Sequence, residues 1–156
     1  MTTAMIGARR RSREVALQII HQMDLSPEME ADAALRAYFD NLWPDATAHD
    51  WDEGVAPPTV ERPLIEELVR GFAGHRQELD DLLAGLSRNW RVERMSPVDR
   101  NVIRLALYEL KYSANVPSNV VINEAIEVAK RFGTSEGAGF VNGMLERAVT
   151  ELGIRR

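Results

Sequence analysis

Residues 96–110 read Ser96-Pro97-Val98-Asp99-Arg100-Asn101-Val102-Ile103-Arg104-Leu105-Ala106-Leu107-Tyr108-Glu109-Leu110. A serine N-cap, a proline at the first helical position and an acid at the third mark a helix start. The Asp99 carboxylate is placed either to reach back to the N-cap amide or to favour the positive helix end. Val102, Ile103, Leu105, Ala106, Leu107 and Leu110 then run apolar nearly all round. A helix of that kind is central and buried, so other elements must surround it.

The flanking sequence supplies helices for that purpose. Downstream, Asn115-Val116-Pro117 opens a helix that buries Val121, Ile122, Ala125, Ile126 and Ala129 and stops at Gly133. Thr134 or Ser135 caps a last helix with the stripe Val141, Met144, Leu145, Ala148 and Leu152, ended by Gly153. Upstream, Ile65, Leu68, Val69, Phe72, Leu79, Leu82, Leu83 and Leu86 form one long third helix, with Gly71 and Gly74 as weak points or close contacts. Ser26-Pro27-Glu28 signals the start of a second helix burying Ala31, Ala34, Leu35, Tyr38 and Leu42. Ala16, Ile19, Ile20 and Met23 share one face of a first. Strand alternation is nearly absent. The expectation is an all-α fold of six long helices, with a short one around 86–92. Residues 43–62, rich in proline and carrying Asp45, Asp50, Asp52 and Glu53, read as an acidic surface loop of insertion length.

A chain of 156 residues fits one domain, 1–156, with an N-terminal helical half at 8–86 and a C-terminal half at 87–153. Residues 1–7 are expected to be weakly ordered. A content of 45% hydrophobic and 28% charged residues is that of a soluble globular protein with a real core. The absence of cysteine excludes disulfides and thiolate metal sites. Met1–Ala8 is too short and polar for a signal peptide, and no apolar run reaches membrane-spanning length. A cytoplasmic protein with no membrane partner follows.

Charge is unevenly placed. Residues 1–23 hold four arginines and one acid, net +3; residues 24–62 hold ten acids and two arginines, net −8; the remainder is neutral. The four arginines lie together at Arg9, Arg10, Arg11 and Arg13. Arg9 and Arg13 are four apart and Arg10 and Arg13 three apart, so a helix would display them on a shared face, able to meet successive phosphates. A solvated basic terminus is the plainer alternative. Near the last helix start, Glu136 and Phe140 offer a carboxylate for a base amino group and a ring for an unpaired base. A capping acid and an edge-of-core aromatic explain the same two residues. A helix-turn-helix reading of 122–145 is opposed by its recognition helix, which is glycine-rich and apolar and offers no Lys or Arg before Arg147. Gly137-Ala138-Gly139 follows no strand and is not a dinucleotide loop. His21, His49 and His75 are scattered, and His75 with Asp80 and Asp81 has poor spacing for a metal. No catalytic constellation, metal site or cofactor is expected.

Together these segments resemble the NusB family of bacterial transcription antitermination factors. The resemblance is carried by Arg9-Arg10-Arg11-Ser12-Arg13-Glu14, by Ile103-Arg104-Leu105-Ala106-Leu107-Tyr108-Glu109-Leu110 with Val116-Pro117, by Ile122-Asn123-Glu124-Ala125-Ile126-Glu127, and by Ala129-Lys130-Arg131-Phe132-Gly133 with Phe140-Val141-Asn142-Gly143. It implies two perpendicular three-helix bundles, six to seven helices in all. It also implies pairing with a small-subunit ribosomal protein (NusE), binding of boxA-type single-stranded RNA, and action on RNA polymerase at ribosomal RNA operons, with no reaction catalysed. By position, Arg9, Arg10, Arg11, Arg13, Glu136 and Phe140 would meet RNA and Asp99 the ribosomal partner. Two departures stand out: Glu136 falls where aspartate is usual, and His21 falls near a usual tyrosine. A helical adaptor with RNA binding secondary is the competing function. A self-dimer covering the arginine face stays open. NusB-like domains also occur fused to RNA methyltransferases, but ending at Arg156 leaves no room for such a domain.

Overall fold

The computed structural model describes residues 3–42, 60–87 and 94–156. Within them lie seven α-helices, one π-helical turn and no strand. They are α1 (Thr3–Leu25), α2 (Ala31–Ala37) continued by the π turn Tyr38–Leu42, α3 (Arg62–Gly74), α4 (Arg76–Leu86), α5 (Pro97–Tyr112), α6 (Ser118–Phe132) and α7 (Ser135–Glu151). The fold is all-α, as expected. Of the acidic loop read at 43–62, residues 43–59 lie outside the described residues and Arg62 already opens α3; the short helix expected around 86–92 also lies largely outside them. No described helix is long and apolar enough to cross a membrane.

The chain divides into two compact units, Met1–Ala73 and Gly74–Arg156. The boundary falls earlier than the 86/87 division expected from periodicity. The long third helix is interrupted at His75, which sits in a turn between α3 and α4. Gly74 directly precedes that break, consistent with the low helix propensity of glycine.

In the first unit, α1 buries Val15, Ala16, Ile19, Ile20 and Met23, and α3 buries Ile65, Leu68, Val69 and Phe72 completely. Each of these side chains larger than alanine contributes roughly 1.5–3 kcal/mol on leaving water. Ser12, fully buried, ties α1 to the start of α3: its hydroxyl donates to the Ala8 carbonyl at 2.7 Å and accepts from the Glu61 amide at 2.8 Å. Arg70 on α3 reaches Asp32 on α2 at 2.9 Å. The helix α1 begins at Thr3, so the arginine run lies inside it. One expectation fails here. Ser26-Pro27-Glu28 does not start α2. Instead the Ser26 amide bonds the Gln22 carbonyl and the Met29 amide bonds the Ser26 carbonyl, so the segment closes α1 as a turn, and α2 begins at Ala31.

In the second unit α5 packs against α4, α6 and α7. All ten residues from Asn101 to Leu110 are buried, including Asn101, Arg104 and Glu109. A buried guanidinium needs partners. Arg104 donates to Asp80 of α4 at 2.7 Å and to the Asn101 side-chain carbonyl oxygen at 2.9 Å. The Arg156 guanidinium closes the other end of α5, donating to the carbonyls of Leu110 at 2.7 Å, Glu109 at 3.1 Å and Ser113. A cation there also suits the negative end of the helix. Beside it, Glu78 receives hydrogen bonds from Lys111 and from the Tyr112 hydroxyl, and both contacts hold its carboxyl below the usual range. His75 stacks on Tyr112 with ring centroids 4.3 Å apart, while Asp80 pairs with Arg104 and Asp81 with Gln77. Among the described residues no group of histidine and acids could hold a metal.

The arginine run is divided by burial. Arg11 is 2% exposed and Arg13 7%, whereas Arg9 is exposed and Arg10 half-buried. Arg11 pairs with Glu14 at 3.1 Å inside the fold. Removing one partner of a buried ion pair strands the other charge, whereas an exposed pair such as Arg9–Glu61, at 3.6 Å, contributes little. Glu14→Ala is therefore expected to cost about 3 kcal/mol in urea unfolding, and Arg9→Ala under about 1 kcal/mol. Equal losses would show that the buried pair is not structural.

Candidate nucleic-acid interface

The start of α5 forms as its sequence dictates. The Ser96 hydroxyl accepts from the Asp99 amide at 3.1 Å, and Pro97 occupies the first turn. Asp99 uses its amide for that cap, and its carboxylate does not reach back to the helix start. It lies instead over the first turn of α7, against Gly137. The Asp99 Oδ1 is buried and has no hydrogen-bond partner among the described residues.

Two glycines make this approach possible. A Cβ on Gly137 would stand 2.6 Å from Asp99 Oδ1 and 2.8 Å from Oδ2. A Cβ on Gly133 would stand 2.9 Å from the Ala129 carbonyl oxygen and 3.3 Å from Val98 Cγ1. Gly133 does end α6, but at φ −125° it is not in the left-handed region. Crowding by the Ala129 carbonyl of α6 first and by Val98 of α5 second, not a left-handed φ, calls for glycine there. Thr134 caps α7, its hydroxyl accepting from the Gly137 amide at 2.9 Å.

Between these elements is a cleft of about 480 Å³. Asp99, Glu136 and Phe140 all line it, so three residues singled out from sequence meet in one place. Arg94, Met95, Ser96, Thr134 and Gly137 complete the lining. Glu136 is exposed and Phe140 half-buried. The volume lies within the range of small-ligand sites. One aromatic face, two carboxylates, two hydroxyls and one guanidinium suit a flat polar group better than an aliphatic one. Met95 is buried beneath, and Arg94 is exposed.

Arg9, Arg10, Arg11 and Arg13 belong to the other compact unit. The shared face expected of Arg9, Arg10 and Arg13 is not displayed whole: Arg13 is buried, as is Arg11, since five consecutive helical positions span more than a full turn and part of the run must face the core. Arg9 and Arg10 remain as surface cations, with Arg9 paired to Glu61. The rejection of a DNA-reading α7 gains support, since Arg147 donates to the Leu86 carbonyl at 2.7 Å. Sequence reasoning missed Arg94 and Gly137. Arg94 stands outside any periodic pattern, and Gly137 stands out in the sequence only as one of a glycine pair that makes no nucleotide loop.

The close approach gives a testable coupling. Gly137→Ala should raise helix propensity by up to about 1 kcal/mol, yet it drives a methyl group into the Asp99 carboxylate. The substitution is expected to be neutral or destabilising in the native chain and stabilising in an Asp99→Ala background. A double-mutant cycle in thermal unfolding measures this, and additivity would refute the contact.

Comparison with known proteins places these features in context. The NusB family model matches residues 10–150. The transcription antitermination protein NusB of Geobacter sulfurreducens is 41% identical over 147 residues, covering 94% of this chain and 97% of that protein. Its counterpart from Myxococcus xanthus is 41% identical over 147 residues, covering 94% and 98%. Among solved structures, NusB of T. maritima superposes with a TM-score of 0.71 at 32% identity, covering 92% of this chain and 91% of that one.

Proposed function

The chain belongs to the NusB family, and from that premise we propose that it is an RNA-binding transcription antitermination factor. It pairs with the small-subunit ribosomal protein NusE. The pair binds boxA-type single-stranded RNA of nascent transcripts and joins the RNA polymerase antitermination complex, favouring transcription of ribosomal RNA operons. It catalyses no reaction and requires no cofactor.

The observation that carries the proposal is the meeting of Phe140, Glu136 and Asp99 in one cleft. Unpaired bases are recognised by stacking on aromatic rings and by hydrogen bonds to their edges. Phe140 supplies the ring and Glu136 an acceptor for an exocyclic amino group. The Asp99 carboxylate, which lines the cleft, is the acceptor for a donor from the ribosomal protein. Arg9 and Arg10 provide surface charge for the phosphate backbone. Arg11 and Arg13 act indirectly, holding α1 in place from inside the fold.

One observation favours the adaptor alternative: with Arg11 and Arg13 buried, the basic surface is smaller than four arginines suggested. Salt dependence separates the two. Anisotropy of fluorescein-labelled boxA-type RNA, titrated with and without the ribosomal protein at two salt concentrations, should show binding that tightens with the partner and weakens with salt. Phe140→Ala should weaken it about tenfold, the size of one lost stacking contact. RNA binding that is absent, or indifferent to salt and to Phe140, would leave the adaptor function.

A further inference from the structure

The cleft has an electrostatic difficulty as a nucleotide site. Asp99 and Glu136 bring two carboxylates to it. A base stacked on Phe140 is neutral, but its phosphate is not, and it must lie within one nucleotide's span of both acids. Charges of like sign at that range oppose one another, more strongly where part of the surroundings is buried. Asp99 Oδ1 is such a buried atom. An isolated pair of acids would therefore turn an RNA backbone away.

Arg94 resolves this. It is the cation among the residues that line the cleft, two positions before the Ser96 cap that anchors α5. It is exposed. Four cations of the same unit are paired elsewhere: Arg104 to Asp80, Lys111 to Glu78, Arg147 to the Leu86 carbonyl and Arg155 to Glu146. A guanidinium presents a planar fork that matches phosphate oxygens in pairs.

We propose that Arg94 is a phosphate-contacting residue of the RNA interface, holding the phosphodiester of the nucleotide whose base stacks on Phe140. The inference rests on the RNA-binding function proposed above and adds to it a residue and a charge balance. It also carries a sign. A basic side chain from a protein partner would be drawn by the two acids and repelled by Arg94, so a protein-filled cleft responds to loss of Arg94 in the opposite direction.

The test uses the full chain and fluorescein-labelled boxA-type RNA, with anisotropy titrations across a series of potassium chloride concentrations. Arg94→Ala should weaken binding roughly fivefold, the size of an exposed charge contact. The slope of log affinity against log salt should fall by about 0.7, one phosphate's worth on a single strand. Arg94→Glu should weaken binding further, and Arg94→Lys should retain most of the affinity and the native slope. Arg94→Ala and Phe140→Ala should be non-additive, as for two contacts to one nucleotide. Unchanged thermal midpoints check the fold. Native affinity and slope in Arg94→Ala, while Phe140→Ala still weakens binding, would overturn this inference alone. No salt-dependent RNA binding by the native chain would overturn the RNA function and this inference with it. Tighter binding of the ribosomal protein by Arg94→Ala, with RNA binding unaffected, would give the cleft to a protein cation and overturn the inference.

Discussion

Ten consecutive residues of α5, Asn101 to Leu110, are out of solvent on every side, and three of them are Asn101, Arg104 and Glu109. A helix in that position cannot choose its neighbours freely. Its apolar faces require α4, α6 and α7, and the Arg104 guanidinium requires the Asp80 carboxylate that α4 delivers at 2.7 Å. Its terminal carbonyls receive the Arg156 guanidinium. Once α5 is held so closely, its first turn is held too. Asp99 is then pressed against the start of α7, where only a residue without a side chain fits.

The candidate interface is a consequence of that packing. The Ser96 cap fixes where α5 begins, the Thr134 cap fixes where α7 begins, and the cleft is the space between the two starts. Both caps use side-chain oxygens on backbone amides, which leaves the Asp99 carboxylate free of helix duty. Burying a carboxylate oxygen without a partner is costly. The same packing that stabilises the core leaves that unpaired oxygen on a residue that lines the cleft.

Much of this was legible in the sequence because it depends on local chemistry. Ser-Pro-x-Asp at 96–99 and the apolar run after it define the start, length and burial of α5, and the cap of α7 is narrowed to Thr134 or Ser135, of which the structure uses Thr134. What failed depended on three-dimensional competition. Ser26-Pro27-Glu28 satisfies every local rule for a helix start, yet the chain uses it to close α1. The heptad-like run from Ile65 to Leu86 keeps its period across His75, so periodicity could not reveal the break. For the arginines, charge argued for solvent, and nothing local told that Glu14 would meet Arg11 inside the fold. Glu136 and Phe140 stand out beside a plainer capping and edge-of-core explanation, and Asp99 as a partner residue only through the family resemblance. Their convergence needed the corner between α6 and α7, and the crowding that makes Gly137 necessary leaves no mark on a one-dimensional pattern.

If RNA enters the cleft between the starts of α5 and α7, the backbone amides around that cleft must sense it. A titration of the ¹⁵N-labelled chain with boxA-type RNA, followed by amide chemical shifts, reads this residue by residue. The largest shifts are predicted at Arg94, Glu136, Gly137 and Phe140, with a second set at Arg9 and Arg10. Shifts that leave the cleft untouched and appear only on other surfaces would contradict RNA entry there.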